Sequence, residues 1–150
     1  MYKIIDMNNW TKLASKETID KIIKALKDSN IDAYFFQTGE EAKQKVFELL
    51  PKGARVLAGQ SETLHSLGIF EKIDNSKDYI SVRNEYLVLD RGKENDKIRI
   101  LRSTPDIIVG SVHAVTKDGK LITASNTGSQ LAPYAVSADK VILVVGAQKL

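Results

Sequence analysis

The chain has 150 residues, with 22 basic side chains against 19 acidic ones, a net charge of +3 and no cysteine. The length fits one domain, and the lack of cysteine excludes disulfides, thiolate nucleophiles, zinc–thiolate sites and cysteine-ligated iron–sulfur clusters from this chain. No apolar run approaches the ~20 residues of a membrane span, and the N-terminal MYKIIDMNNWTK lacks a signal-peptide core. No membrane association is therefore expected, and a cytoplasmic setting is.

Basic residues are interleaved with acidic ones, as across Lys16–Lys27. Nucleic-acid binding wants a clustered basic face, so no nucleic-acid partner is expected. The small positive excess is compatible with an anionic small molecule.

Residues 1–14 show no firm periodicity and are read as an N-terminal arm, with Trp10 packing it onto a domain over 15–150. Ser15 is a natural N-cap, and Ile19, Ile22, Ile23 and Leu26 recur at helical spacing. Asn30 ends that helix, and Ile31–Gln37, with Ala33-Tyr34-Phe35-Phe36, reads as a buried strand. Thr38 and Glu41 have the spacing of a capping box. Ala42, Val46, Leu49 and Leu50 then form a second helical stripe, stopped by Pro51-Lys52-Gly53. Arg55–Ala58 is a short strand. The α-β-α-β alternation predicts a parallel sheet with right-handed crossovers.

Gly59-Gln60-Ser61-Glu62-Thr63-Leu64 is the first site candidate. Glycine lets the backbone approach a ligand, Ser61 can cap the helix running through Leu64 and Leu67 toward Gly68, and such a helix start favours an anion. The same residues also describe a plain strand-to-helix turn. Beyond them, Asp74–Asp78 is a loop. Tyr79–Val82 and Tyr86–Leu89 have strand-like composition, although the second could equally start a helix. Arg91–Asp96 is polar, Ile98, Ile100 and Leu101 alternate as in a strand, and Pro105 ends the region. Residues 69–105 are left undecided between a lid and an insertion.

Asp106–Val112 is the next strand. His113–Thr116 and Lys120–Thr123 flank Asp118-Gly119, a hairpin signal because glycine tolerates the positive φ of such turns. Ser129–Ala138 is a short helix with Pro133 in its first turn. Val141–Val145 is expected to be a strand buried on both faces.

Two further groups of candidates lie in this half. Gly110 and Ser111 end a strand, and His113 beside them could polarise a carbonyl or shuttle a proton near neutral pH; the competing reading, which is preferred, is a hydrogen-bonded histidine that braces the hairpin. Asn126, Thr127, Gly128, Ser129 and Gln130 could cradle a carboxylate or phosphate at a helix start. Tyr134 is expected to pack under that loop, and His65 to be exposed or packed. Neither Ser61 nor Ser111 has a visible base-and-orienter pair, so no Ser-His-Asp triad is asserted. Two histidines without a companion carboxylate pattern predict no metal site.

Three stretches in order resemble the LUD domain, the lactate-utilisation family: Gly59–Leu64 with Leu67-Gly68, Asp106–Ile122, and Asn126–Ala132 leading into Lys140–Gly146. The most specific part is GSVHAVTKDGKL…TGSQLAPYA…KVILVVGAQK. The resemblance spans roughly residues 15–150 and implies the fold of sugar-phosphate isomerases and coenzyme A transferases. That fold is a Rossmann-like parallel sheet with helices on both faces, here with a small β-hairpin. It implies an accessory or ligand-binding role in lactate oxidation beside an iron–sulfur oxidoreductase subunit, with no cofactor in this chain. Homo-oligomerisation is left open. Sugar-phosphate isomerases of this fold carry a Gly-Ala-Asp motif where this chain has Gly110-Ser111-Val112-His113, so the proton-transferring carboxylate is missing. Coenzyme A transferases use a nucleophilic glutamate, for which Glu62 is a weak match. The alternative is thus a small isomerase- or transferase-type enzyme acting on a phosphorylated or acyl substrate through His113 and Glu62. A third reading is a pure interaction module with a vestigial pocket.

Overall fold

The computed structural model describes residues 12–150; Trp10 and most of the expected N-terminal arm lie outside the described residues. Along the chain the helices are α1 (Lys16–Asp28), α2 (Gly39–Leu49), α3 (Glu62–Ser66), α4 (Ile69–Asp74), α5 (Val82–Leu87) and α6 (Asn95–Ser103). The strands are β1 (Arg55–Ala58), β2 (Ile80–Ser81), β3 (Ile107–Gly110), β4 (Ala114–Val115), β5 (Leu121–Ile122) and β6 (Lys140–Leu143). They form two compact units.

The smaller unit comprises the described part of Met1–Phe35, Val112–Ile122 and Val145–Leu150. Ser15 caps α1 by accepting from the Thr18 N–H. At the other end Asn30 takes a left-handed φ of 58°, while Asn30 N–H bonds Lys27 C=O and Ile31 N–H bonds Leu26 C=O. This is the Schellman closure, and it satisfies carbonyls that the helix end would otherwise strand. β4 and β5 pair antiparallel, Ala114 with Ile122 and Val115 with Leu121. Thr116 N–H reaches Lys120 C=O and Gly119 N–H reaches Thr116 C=O, so the turn is the loop Lys117-Asp118-Gly119 with Gly119 at φ 82°. A type I turn followed by a left-handed glycine is a standard hairpin solution. A Cβ on Gly119 would come within 3.0 Å of the Ala25 Cβ, so the turn is glycine for packing as well as for φ.

The strand expected at Ile31–Gln37 does not form. No ladder pairs the segment among the described residues, and Ile31, Tyr34 and Phe35 are 40%, 56% and 45% exposed. β-branched and aromatic residues fit a half-buried surface, but composition cannot supply a neighbouring strand.

The larger unit comprises Phe36–Ser111 and Thr123–Val144. Its sheet has the order β2-β1-β3-β6, with every pair parallel. Side chains alternate between its two faces as strand geometry requires. Val56, Ala58, Ile107, Val109, Ile142 and Val144 pack with Val46 and Leu50 at α2, Leu64 of α3, and Ile69, Phe70 and Ile73 of α4. Leu57 and Ile108 face the other way, onto Val82 and Tyr86 of α5, Leu101 of α6, Tyr134 and Ala138. Helices therefore cover both faces. The chain moves outward from β1 to β2 with helices on one face, then back past β1 to β3 with helices on the other. Reversing direction and face together keeps the hand of the crossovers constant, as parallel sheets demand.

Three expectations are corrected in this unit. Ile98–Leu101 lies in α6: Ile98 and Leu101 share the inner side while Ile100 is 57% exposed, a helical spacing that a short window mimics as alternation. Tyr79–Val82 gives only the two residues of β2. Ser81 caps α5 by accepting from the Asn84 N–H, so Val82–Leu87 turns helical and carries Val82 and Tyr86 inward, four residues apart. The last strand is Lys140–Leu143 and is not buried on both faces. It lies at the sheet edge, where Ile142 is buried and Val141 is 36% exposed. A continuous apolar run does not reveal whether a strand is central.

The expected helix at Ser129–Ala138 forms from Leu131, but Pro133–Ser137 winds as a π turn. Pro133 sits at its start, where a missing N–H costs nothing. No helix among the described residues is long and apolar enough to cross a membrane.

Candidate functional site

In an open parallel sheet, ligands bind beyond the carboxyl ends of the strands where successive crossovers diverge to opposite faces. In the order β2-β1-β3-β6 that switch point lies between β1 and β3. The residues leaving those strands are Gly59 and Gly110. Their level is set at the other end of the sheet, where Asp106 accepts from the Arg55 N–H through its carboxylate at 2.9 Å and donates its own N–H to Arg55 C=O at 3.0 Å. Ala58 pairs with Val109, and Gly59 N–H donates to Val109 C=O at 2.8 Å. A Cβ on Gly59 would lie 3.4 Å from the Gly110 Cα. Two strand ends thus approach backbone to backbone, and glycine at both makes that possible.

The loop after β1 runs into α3. Ser61 accepts from the Leu64 N–H, so its hydroxyl serves as the cap. Gln60 and Glu62 are exposed, and Thr63 is partly buried. His65, on the same helix, is exposed, bonds Glu71 at 2.7 Å and lies over the Phe70 ring at 4.3 Å. That bond, chiefly, holds the Glu71 carboxyl below its ordinary value.

The third loop closes on itself. Ser125 Oγ accepts from the Gly128 N–H at 3.0 Å, and Gly128 takes φ 69°. The Thr127 and Ser129 hydroxyls are 3.0 Å apart, and the Gln130 side-chain amide donates to Ala124 C=O at 3.3 Å. Asn126, Thr127 and Gly128 are exposed.

Tyr134 ties this loop to the strand ends. Its N–H bonds Gln130 C=O, while its hydroxyl accepts from Ser111 N–H and donates to Ser111 C=O, both at 3.1 Å. A Cβ on Gly110 would overlap that hydroxyl and approach Tyr134 Cζ to 2.8 Å; one on Gly59 would sit 3.8 Å from the hydroxyl. Burial of the ring raises the Tyr134 phenol above its ordinary value, partly opposed by the bond from the Ser111 backbone. Sequence reasoning placed Tyr134 under the loop but did not find the bridge. The signal for it was the pair of Cβ-free strand ends, which leaves room for a phenol.

The structure therefore brings Gly59, Gly110 and Ser111 together and joins Gln130 to them through Tyr134. His113 lies in the other unit, exposed, where its N–H donates to Ile122 C=O in the hairpin. Among the described residues no cluster of three or more histidine or acidic side chains could hold a metal ion.

Sheet order, glycine strand ends and helices on both faces define a doubly wound α/β protein whose first switch point lies between β1 and β3. A family model described as the LUD domain matches residues 19–150, and the chain belongs to that family. Comparison with curated proteins and with solved structures found no match.

Proposed function

We propose that this chain is an accessory or ligand-binding subunit in lactate utilisation. It binds a small anionic metabolite with Gly59, Gln60, Ser61, Thr63, Gly110, Ser111 and the Asn126–Gln130 loop. Residues 15–150 act as the binding domain, in the cytoplasm, beside an iron–sulfur oxidoreductase subunit that supplies any redox centre. The observation that supports this reading most is the close approach of the Gly59 and Gly110 backbones at the switch point, with no side chain between them. Family membership supports the lactate context.

Thermal-shift and calorimetric titration with L-lactate, ribose 5-phosphate and coenzyme A tests the binding role. At least one is expected to stabilise the chain in a concentration-dependent manner, by mass action on the folded state. No shift and no heat with all three contradicts it. Copurification of an iron–sulfur protein that survives Thr127→Ala and Ser129→Ala would instead favour a pure interaction module.

The enzymatic alternative draws support from Glu62, exposed at the first residue of α3 directly beyond the β1 loop. In that reading Glu62 carries a proton or acyl group on a phosphorylated or acyl substrate. Unchanged turnover after Glu62→Gln removes it.

A further inference from the structure

The Tyr134 hydroxyl holds both polar groups of the Ser111 peptide that a ligand at the switch point would use: it accepts from the N–H and donates to the C=O. We infer that the turn Pro133–Ser137 is a latch, and that the crevice opens to ligand when this turn tightens and withdraws Tyr134. The inference rests on the binding role proposed above and adds how access to that site is controlled.

The turn is built for two positions. It is wound as a π turn, which carries one residue more per turn than an α-helix and is otherwise rare. Passing that extra residue along the helix changes the register by one, which swings a side chain about 100° around the axis. Such a swing takes the phenol off Ser111 without moving either strand. The ends of the turn are pinned. Pro133 is fully buried, and the Ser137 hydroxyl donates to the Ser103 carbonyl at the end of α6. Between them the outer side is bare: Ala135 is exposed and Val136 is 87% exposed, so rewinding uncovers little apolar surface there. Gly110 completes the device, because any side chain there would overlap the phenol and prevent the closed position.

A ligand entering the crevice must replace the phenol's two bonds, offering an acceptor to the N–H and a donor to the C=O. A hydroxyl group or a protonated phosphate does both. Closed molecules lower the apparent affinity by the fraction that is open.

The test titrates the full chain with inorganic phosphate near neutral pH by calorimetry, following the Ser111 amide by NMR, for the wild type, Tyr134→Phe and Ser137→Ala. Near-ultraviolet circular dichroism checks each fold. Tyr134→Phe removes the competing hydroxyl and is expected to bind phosphate roughly tenfold more tightly, the factor for replacing about two neutral hydrogen bonds. Ser137→Ala keeps the tyrosine but frees the turn, and a smaller gain is expected. The Ser111 amide shifts with phosphate in all three. Equal or weaker binding by both variants, with the Ser111 amide still shifting, overturns the latch and leaves the site. No binding by any of the three overturns both.

Discussion

Tyr134 is a side chain of the fold whose single polar atom serves as donor and acceptor to one buried residue. Removing that atom in Tyr134→Phe deletes two bonds, and each is worth about 0.5–1.5 kcal/mol net. A loss of about 1–3 kcal/mol is expected in urea denaturation, with an unchanged m-value showing that the unfolded state is not affected. The phenol also links stability to alkaline pH. Its pKa is raised in the folded state, chiefly by burial, so the folded state holds the proton longer than the unfolded one. The contribution is complete below the unfolded value of about 10 and is lost as pH rises through the folded value. Tyr79 shifts the same way, through burial and the neighbouring Asp78, against Lys52. Unfolding at increasing alkaline pH should therefore become less steeply pH-dependent in Tyr134→Phe than in the wild type. Identical pH dependence would show that the phenol is not buried as described. The sequence placed Tyr134 under its polar loop and ended two strands at glycine, but the bridge itself joins a hydroxyl to a backbone 23 residues away and has no local signature.

At the level of elements, local chemistry was legible wherever one residue could name its own partner. The capping box at α2 is complete: Thr38 accepts from the Glu41 N–H, and the Glu41 carboxylate accepts from the Thr38 N–H at 3.0 Å. Thr38→Ala is expected to cost about 1 kcal/mol, seen as a lower thermal midpoint, and Thr38→Ser to cost little. Equal losses in both variants would mean that the threonine methyl, not its oxygen, matters there. Ser15, Ser61 and Gly119 were readable on the same grounds. Ile31–Gln37, Tyr79–Val82 and Ile98–Leu101 were not, because a few apolar residues fit either period and the decision lies with neighbours distant in sequence. The edge position of β6 was hidden for the same reason: Val141 looks like Ile108 until the strand order is known.

Across the larger unit, the parallel sheet was expected from an alternation that counted Ile31–Gln37 as a strand; the sheet is parallel but that segment is not in it. The strand ends, by contrast, were readable as site candidates because each stops at glycine. What the sequence could not provide was the order β2-β1-β3-β6, which makes Gly59 and Gly110 neighbours. The sequence did place His113 at the start of the hairpin, where its N–H meets Ile122 C=O. The packing at this junction is testable apart from any ligand. Gly110→Ala drives a methyl into the Tyr134 hydroxyl, and overpacking of this kind costs about 1–3 kcal/mol. Combined with Tyr134→Ala, the same methyl has room. The double variant should be more stable than the sum of the singles by about 0.5–3 kcal/mol, and strict additivity would show that the two residues do not meet.

The claim on which the functional reading depends is that a small anion binds where β1 and β3 end. Backbone amide NMR of the full chain, titrated with L-lactate, ribose 5-phosphate and coenzyme A in turn, addresses it most directly. Saturable shifts are expected for at least one of them, concentrated at Gly59–Thr63, Gly110–Ser111 and Asn126–Gln130. Saturable shifts confined to other residues, or none with any of the three, would contradict it.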